Sequence, residues 1–124
     1  MNEFEKWCKY FKIKINIKRD NRIDGMNAHY FTNTIRINLK QLHRNDSAWF
    51  LRALFHELFH IKMKHSDTKI EQEYSAENFA IKMIKKFYPE YYEISIYTVT
   101  LCLGYFKKHH PIHYKAFSRI KDYQ

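Results

Sequence analysis

The stretch SAWFLRALFHELFHIKMKH, residues 47–65, decides the fold, and the HELFH segment at 56–60 lies at its centre. Residues four positions apart on an α-helix differ by only about 40° around its axis, so His56 and His60 project from the same face. Apolar residues flank this pair on both sides, which predicts a buried site or a cleft where unpaired imidazoles would be costly. A helix that merely carries two surface histidines is the alternative. A shared metal ion accounts for the pattern better.

Glu57 completes the H-E-x-x-H pattern, which is typical of zinc hydrolases. It lies about 100° from His56 around the helix, too far to be a natural ligand but well placed to accept a proton from a metal-bound water. Zinc lowers the pKa of such a water to about 7, and the carboxylate then delivers hydroxide to a carbonyl. The pattern therefore predicts one Zn²⁺ ion, with Glu57 as general base.

A catalytic zinc site takes three protein ligands and leaves the fourth position for water. The segment EQEYSAENFA, residues 71–80, offers Glu73 and Glu77 at positions i and i+4, on the face that also carries Ala76 and Ala80. We expect this stripe to pack closely on the HELFH helix, with Glu73 as the third ligand. Glu77 would accept a hydrogen bond from a ligand imidazole. The alternative is that one or both carboxylates are solvated.

Shorter elements precede the HELFH helix. Apolar residues at helical spacing predict a helix over 3–11, and alternation of apolar and polar residues predicts strands at 12–18, 26–31 and 34–39. The stretch 19–25 is rich in Asp, Asn and Gly and predicts a turn. We therefore expect a short antiparallel three-stranded sheet, connected as a meander.

Helices are expected over the rest of the chain, each bounded by capping, turn-forming or proline residues. These boundaries are Asn45 or Asp46 before the HELFH helix, Ser66 and Asp67 after it, Pro89 after a helix over about 69–88, and Pro111 after a helix over about 91–108. A last short helix closes the chain. With no internal repeat or linker, residues 1–124 are expected to form one α+β domain, in which the sheet packs against the HELFH helix and the Glu-bearing helix.

These segments resemble those of the gluzincin metallopeptidases. HELFH, the later EYSAENFA and the upstream MNAHYF and TIRINL, all within residues 26–88, are similar to the ImmA/IrrE-type domains, to the HtpX and CAAX-prenyl-protease group and to the small archaeal minigluzincins. The resemblance implies a small zincin-like fold with one zinc ion, and the hydrolysis of peptide bonds. It also implies that an extended peptide adds to a strand edge near the active helix, either MNAHYF or TIRINL.

The resemblance assigns roles residue by residue. His56 and His60 match the zinc ligands of the family, and Glu57 matches its general base. Glu73 matches the ligand glutamate of the E-Y-x-A-D pattern, in which Glu77 stands in place of the aspartate. The resemblance therefore implies the same ligand set that the helix faces indicate.

The chain departs from the family pattern at two places. Phe59 replaces the glycine that is common in HELGH, which adds bulk beside the site. In the spacing of the ImmA-type domains, the expected glutamate falls on Ser75. The identity of the third ligand therefore stays open between the two alignments.

The remaining histidines have less defined roles. One of several aromatic or imidazole groups is expected to reach the cleft and to hydrogen-bond the developing oxyanion or contact the substrate. The candidates are His109, His110 and His113 of the HHPIH segment, and Tyr91 and Tyr92. His65 lies about 140° from His60 on a continuous helix, so we expect it to lie at the helix C-terminus, away from the metal.

The formal net charge of +9 suggests a nucleic-acid partner, but the basic residues are spread along the chain, which is typical of a solvated surface. Cys8 and Cys102 are too few for a disulfide scaffold, so we expect reduced thiols. The first residues do not resemble a signal peptide, and no run of about 18 apolar residues exists. A cytoplasmic protein without a membrane span is expected, in the host cytoplasm if a phage encodes it.

Three functions are compatible with these features. The first is an intracellular zinc endopeptidase that acts on a polypeptide, which an intact Glu57 favours. The second is a binding or inhibitor module of a phage or mobile element, with a structural zinc and an acidic or nucleic-acid-associated protein as its target. The third is a DNA-associated metalloprotease that docks on phosphates through its lysines.

Overall fold

The computed structural model describes residues 3–42, 47–65 and 69–124. Within these residues the fold is α+β, as predicted, with five helices of seven residues or more, a single-turn helix and a three-stranded sheet. The elements are α1 (Glu3–Phe11), β1 (Asn16–Arg19), β2 (Met26–His29), β3 (Thr34–Ile37), α2 (Leu39–Leu42), α3 (Ser47–Met63), α4 (Ile70–Phe87), α5 (Tyr92–His109) and α6 (Pro111–Phe117), with 3-10 turns at Pro89–Tyr91 and Lys121–Tyr123. The boundaries predicted at Asn45 or Asp46 and at Ser66 and Asp67 lie outside the described residues.

The sheet is mixed, so the predicted antiparallel meander is wrong for the first strand. β3 is the central strand: β2 pairs with it antiparallel and β1 pairs with it parallel, which gives the order β1–β3–β2. Each strand has four residues, fewer than the alternation of apolar residues predicts. β1 and β2 are therefore the two edges of the sheet.

The loop 20–25 explains the parallel pairing, because it passes the end of β3. The side-chain amide of Asn38, just after β3, donates hydrogen bonds to the carbonyls of Asn21 and Ile23 at 3.4 and 2.9 Å. The backbone N–H of Asn38 donates to the carbonyl of Gly25 at 2.8 Å. Held there, the loop carries the chain from β1 on one edge of β3 to β2 on the other. Alternation within a strand says nothing about which neighbour that strand pairs with.

Helix α3 lies between the sheet and α4 and forms the centre of the core. Leu54, Phe55 and Leu58 of this helix are almost completely buried. Ile35 of β3 and Trp7 of α1 pack into the same cluster. Because protein interiors are close-packed and deform little, α3 is a rigid base for the polar side chains on its other face.

Helix α4 approaches α3 through small side chains. Ala76 and Ala80 are completely buried, and their methyl groups allow the two helix backbones to come close. Glu73 and Glu77 lie on the same face and are also buried, at 1% and 0% exposure. The predicted stripe is therefore the contact face of α4, and it carries two carboxylates toward α3.

The C-terminal helices pack around a second apolar cluster. Its buried members are Ile81, Val99, Ala116, Phe117, Ile120 and Tyr123. Pro111 begins α6, where its fixed φ suits the first turn and its missing N–H is not needed. α6 packs against both α4 and α5. Of the helices in the described part of the chain, none is both long and apolar enough to span a membrane.

Candidate metal centre

Three buried side chains converge where α3 meets α4. The Nε2 atoms of His56 and His60 lie 3.0 Å apart. The carboxylate of Glu73 lies 2.8 Å from the Nε2 of His56 through Oε2 and 3.1 Å from the Nε2 of His60 through Oε1. All three residues are less than 5% exposed. The structure thus brings together the two histidines and the glutamate that the helix faces select.

This donor set fits a metal ion. Zinc–nitrogen bonds of about 2.0–2.1 Å place neighbouring atoms of a tetrahedral site about 3.3 Å apart, close to the three separations observed between His56, His60 and Glu73. Oε1 of Glu73 is buried and receives no hydrogen bond of normal geometry from any described residue, a costly state for a carboxylate oxygen. A cation between the three side chains would satisfy it. Imidazole and carboxylate donors suit Zn²⁺ and other divalent transition-metal ions alike.

Glu57 lies beside the converging donors at the base of a cleft. Its Oε1 is 4.0 Å from the Nε2 of His56, and donor atoms of His56, Glu57 and His60 all lie within 4.8 Å of one another. The 4.0 Å separation exceeds the roughly 3.3 Å expected between two ligands of one zinc ion. The geometry therefore suits a group that exchanges a proton with a bound water better than it suits a ligand.

Glu77 orients the imidazole of His56. Its Oε1 accepts a hydrogen bond from Nδ1 of His56 at 2.7 Å, which leaves Nε2 directed at Glu73. Nη1 of Arg52 donates to both oxygens of Glu77 at 2.5 and 2.6 Å, and the hydroxyl of Tyr123 donates as well. Burial alone would raise the pKa of Glu77, but the charge of Arg52 and the hydrogen bond from His56 outweigh it and lower the pKa to about 2. A charged second acceptor of this kind fixes the orientation of a metal-binding histidine.

The pKa shifts describe the charge of the metal-free site. Burial would lower the pKa of His56, but hydrogen bonds to Glu73 and Glu77 outweigh it and hold that pKa well above the ordinary value. Burial would raise the pKa of Glu73, but the hydrogen bond from His56 and the nearby imidazole of His60 hold it far below the usual range. Without metal, an imidazolium therefore lies between two carboxylates, and a bound cation would displace its proton.

His65 reaches His60 because α3 ends in a left-handed turn. Lys64 has a φ of 57°, and backbone N–H groups of His65 and Lys64 donate to the carbonyls of His60 and Ile61 at 2.8 and 3.2 Å. This pair of bonds is a Schellman motif, which usually has glycine at the position of Lys64. The turn folds the His65 ring back, so that Nδ1 atoms of His65 and His60 lie 3.2 Å apart. His65 thus contacts one of the candidate ligands, which the continuous-helix prediction did not foresee.

A cleft of about 660 Å³ opens above Glu57. β2 forms one wall, α5 and α6 form the opposite wall, and α3 lies at the base. Cleft-lining side chains include Asn27, His29, Trp49, Phe106 and His113. A space of this size is typical of a ligand pocket.

Only some of the residues predicted to contact a substrate lie in the cleft. His113 and His110 line the cleft; Nε2 of His113 lies 3.2 Å from Oε2 of Glu73. His109 is exposed and packs on the ring of Tyr105, with ring centroids 4.5 Å apart. The other two candidates, Tyr91 and Tyr92, also lie away from the cleft: one stacks on Tyr88, and the other donates to Asp122.

Two partners of Glu77 were missed by the sequence analysis. Arg52 precedes His56 by one helical turn and therefore shares its face, so helix geometry could have identified it. Tyr123 is 46 positions from Glu77, and nothing in the sequence around it indicates this contact. Both residues belong to the site because they stabilise the ionised form of Glu77.

Comparisons with known proteins find no relative of this chain. No protein-family model matches it. No curated protein and no solved structure matches it either. The chemistry of the site is therefore inferred from its own residues and geometry.

Proposed function

We propose that this protein is a zinc-dependent peptidase of the gluzincin type, with a zincin-like catalytic domain. The observation that carries the proposal is the convergence of His56, His60 and Glu73 at separations of 2.8–3.1 Å, with Glu57 beside them at the base of a cleft. The order of helices supports the same family, since the H-E-x-x-H helix is followed directly by the helix that supplies the third ligand. Metal content and peptide cleavage test the two halves of the proposal separately.

The residues of the site divide the chemistry between them. A zinc ion held by His56, His60 and Glu73 would acidify a water molecule and polarise a carbonyl oxygen. Glu57 accepts the proton of the attacking water at its carboxylate and returns it to the leaving nitrogen. Glu57 is only 6% exposed, so little bulk water competes for its proton.

The edge of the sheet supports a peptide substrate. Within the described part of the chain, β2 pairs with β3 on one side only, and its four residues line the cleft. An extended peptide can add to such an edge through main-chain hydrogen bonds. Of the two strands that the family resemblance offers for this role, β3 is the central strand and has no open edge, so we assign the role to β2.

The substitution Glu57→Gln tests the proposal. We expect it to keep stoichiometric zinc and to lower cleavage of a mixed peptide library about 100- to 10,000-fold, the usual contribution of a general base. Glu71→Gln is the matched control, because Glu71 is an exposed glutamate that pairs with Arg119 at the surface. Wild-type protein that contains zinc but cleaves no peptide would contradict the peptidase proposal. Full activity of Glu57→Gln would show that Glu57 is not the general base.

One observation favours a second function. His113 brings another imidazole to the metal donors, and a zinc site whose four ligands all come from the protein is usually structural. A binding module that uses the ion only to hold α3, α4 and α6 together is therefore the second candidate. Its partner would be an acidic protein surface, given the net charge of +9. Zinc content without cleavage by any variant would favour it.

A further inference from the structure

Helix α6 places His113 directly on the donors of the candidate metal centre. Its Nε2 lies 3.2 Å from Oε2 of Glu73, and its ring lies over that of His56, with centroids 6.3 Å apart and planes at 20°. Donor atoms of His56, Glu73 and His113 all lie within 4.8 Å of one another. We infer that His113 is a fourth protein ligand of the ion, an inference that rests on the metal centre of the proposed function.

The distances support ligation over a simple hydrogen bond to the carboxylate. Glu73 is approached by three imidazole Nε2 atoms, those of His56, His60 and His113, at 2.8, 3.1 and 3.2 Å. Each separation is close to the roughly 3.3 Å between two ligand atoms of a tetrahedral zinc ion. One buried carboxylate does not need three imidazoles as donors, whereas one cation can bind all four groups. With His56, His60 and Glu73, His113 would complete a set of four protein ligands.

The position of His113 is fixed by packing. Phe117 follows it by one helical turn and therefore lies on the same face of α6. Phe117 is 2% exposed, and its ring centroid is 5.8 Å from that of His113 and 5.9 Å from that of His56. Burial of Phe117 and Ala116 holds α6 against α4. The position of the His113 imidazole is thus fixed by the core packing of Phe117 as well as by its contact with Glu73.

Ligation by His113 has a consequence for the cleft. Structural zinc sites are closed by four protein ligands, whereas catalytic sites keep one position open. With His113 bound, the resting site is closed, and a substrate or water must displace this imidazole before reaching the ion. α6 therefore controls access to the metal.

Zinc X-ray absorption spectroscopy tests the inference directly, because it counts imidazole ligands. We expect three imidazoles in the zinc-loaded wild type and two in His113→Gln. His109→Gln, a neighbouring exposed histidine, is the control and should keep three. Two imidazoles in both the wild type and His113→Gln would overturn the inference. Three imidazoles in a wild type that cleaves no peptide would support it while contradicting the peptidase proposal, and absence of metal from the wild type would overturn both.

A second variant, His113→Glu, distinguishes the loss of a ligand from misfolding. Glu has the length of Gln but offers a charged oxygen donor, so His113→Glu should bind zinc more tightly than His113→Gln. We expect zinc affinity to fall more than about 100-fold in His113→Gln, beyond the 10- to 100-fold loss typical of a residue that only orients a ligand. Circular dichroism of the metal-free variants establishes that each is folded. Equal zinc affinity of the Glu, Gln and wild-type proteins would contradict ligation by residue 113.

Discussion

Two groups of polar residues lie in or beside the cleft, and they differ in burial. The buried network is Arg52, His56, His60, Glu73 and Glu77, all at most 5% exposed. The rim group is Asp24, Gln41, Tyr105 and His110, in which the carboxylate of Asp24 accepts hydrogen bonds from the other three at 2.6, 2.5 and 2.8 Å. The side chains of Asp24 and His110 are about one-third exposed. Similar hydrogen bonds therefore occur with and without access to water.

The difference indicates which contacts fix the donor atoms of the candidate metal centre. In the buried network, removal of one charge leaves its partner without solvent, and the penalty is large. In the rim group, water replaces a lost partner, and the cost is small. The network can therefore keep donor atoms in place, while the rim can open when a ligand enters. Acid-to-amide substitutions in the two groups compare them directly.

The largest effect is expected from Glu77→Gln in the buried network. The neutral amide removes the carboxylate that pairs with the buried Arg52, which should lower the free energy of unfolding by about 3–5 kcal/mol. It also gives His56 a weaker acceptor at Nδ1. Urea denaturation of zinc-loaded wild type and variant measures the effect. A loss below 1 kcal/mol would show that the network is less isolated from water than its burial indicates.

The pH dependence of stability gives the next test. The pKa of Glu77 is lowered from 4.5 to about 2 in the folded protein, so its ionised form stabilises the fold above pH 4.5. That contribution is lost as the pH falls from about 4.5 to about 2. Denaturation of the metal-free wild type at stepped pH should show this fall. Glu77→Gln should have a shallower slope in the same range, and an unchanged slope would argue against an ionised Glu77.

A smaller effect is expected from His65→Ala, which removes the partner of Nδ1 of His60. Loss of a residue that orients a metal ligand typically lowers affinity about 10- to 100-fold, and we expect a loss in that range for zinc. Competition with a chelator of known affinity measures it. His109→Ala is the control, since His109 lies away from the donors. Unchanged zinc affinity in His65→Ala would show that the turn at Lys64 does not contribute to zinc binding.

The smallest effect is expected from Asp24→Asn in the rim group. Its partners are partly exposed, so the free energy of unfolding should change by less than about 1 kcal/mol. Zinc affinity should stay the same. Parallel urea denaturation with Glu77→Gln makes the comparison, because both changes replace a carboxylate by an amide. A loss for Asp24→Asn as large as that for Glu77→Gln would remove the distinction between the two groups.

The local features of the site follow from sequence periodicity. His56 and His60 meet because helix geometry alone brings positions i and i+4 together. Glu73 and Glu77 could be placed because small residues such as Ala76 mark the face of α4 that packs on α3. The first inference requires only the geometry of a single helix. The second requires two packed helices, one of which has an evident contact face.

Features that depend on distant contacts could not be predicted. The parallel pairing of β1 requires the loop 20–25 to bind Asn38, which no strand pattern reveals. His113 reaches the donors through the packing of Phe117 after the break at Pro111, and the sequence near it gives only a histidine cluster. Lys64 adopts a positive φ without being glycine, so the turn that carries His65 to His60 leaves no sign in the sequence.

The most direct test of the account is anomalous diffraction at the zinc absorption edge from crystals grown with stoichiometric zinc. We expect one strong peak, within about 2.0–2.2 Å of Nε2 of His56, Nε2 of His60 and a carboxylate oxygen of Glu73. The absence of a peak at this position, or a peak bound to Glu77 in place of Glu73, would contradict the metal centre on which the proposed function depends.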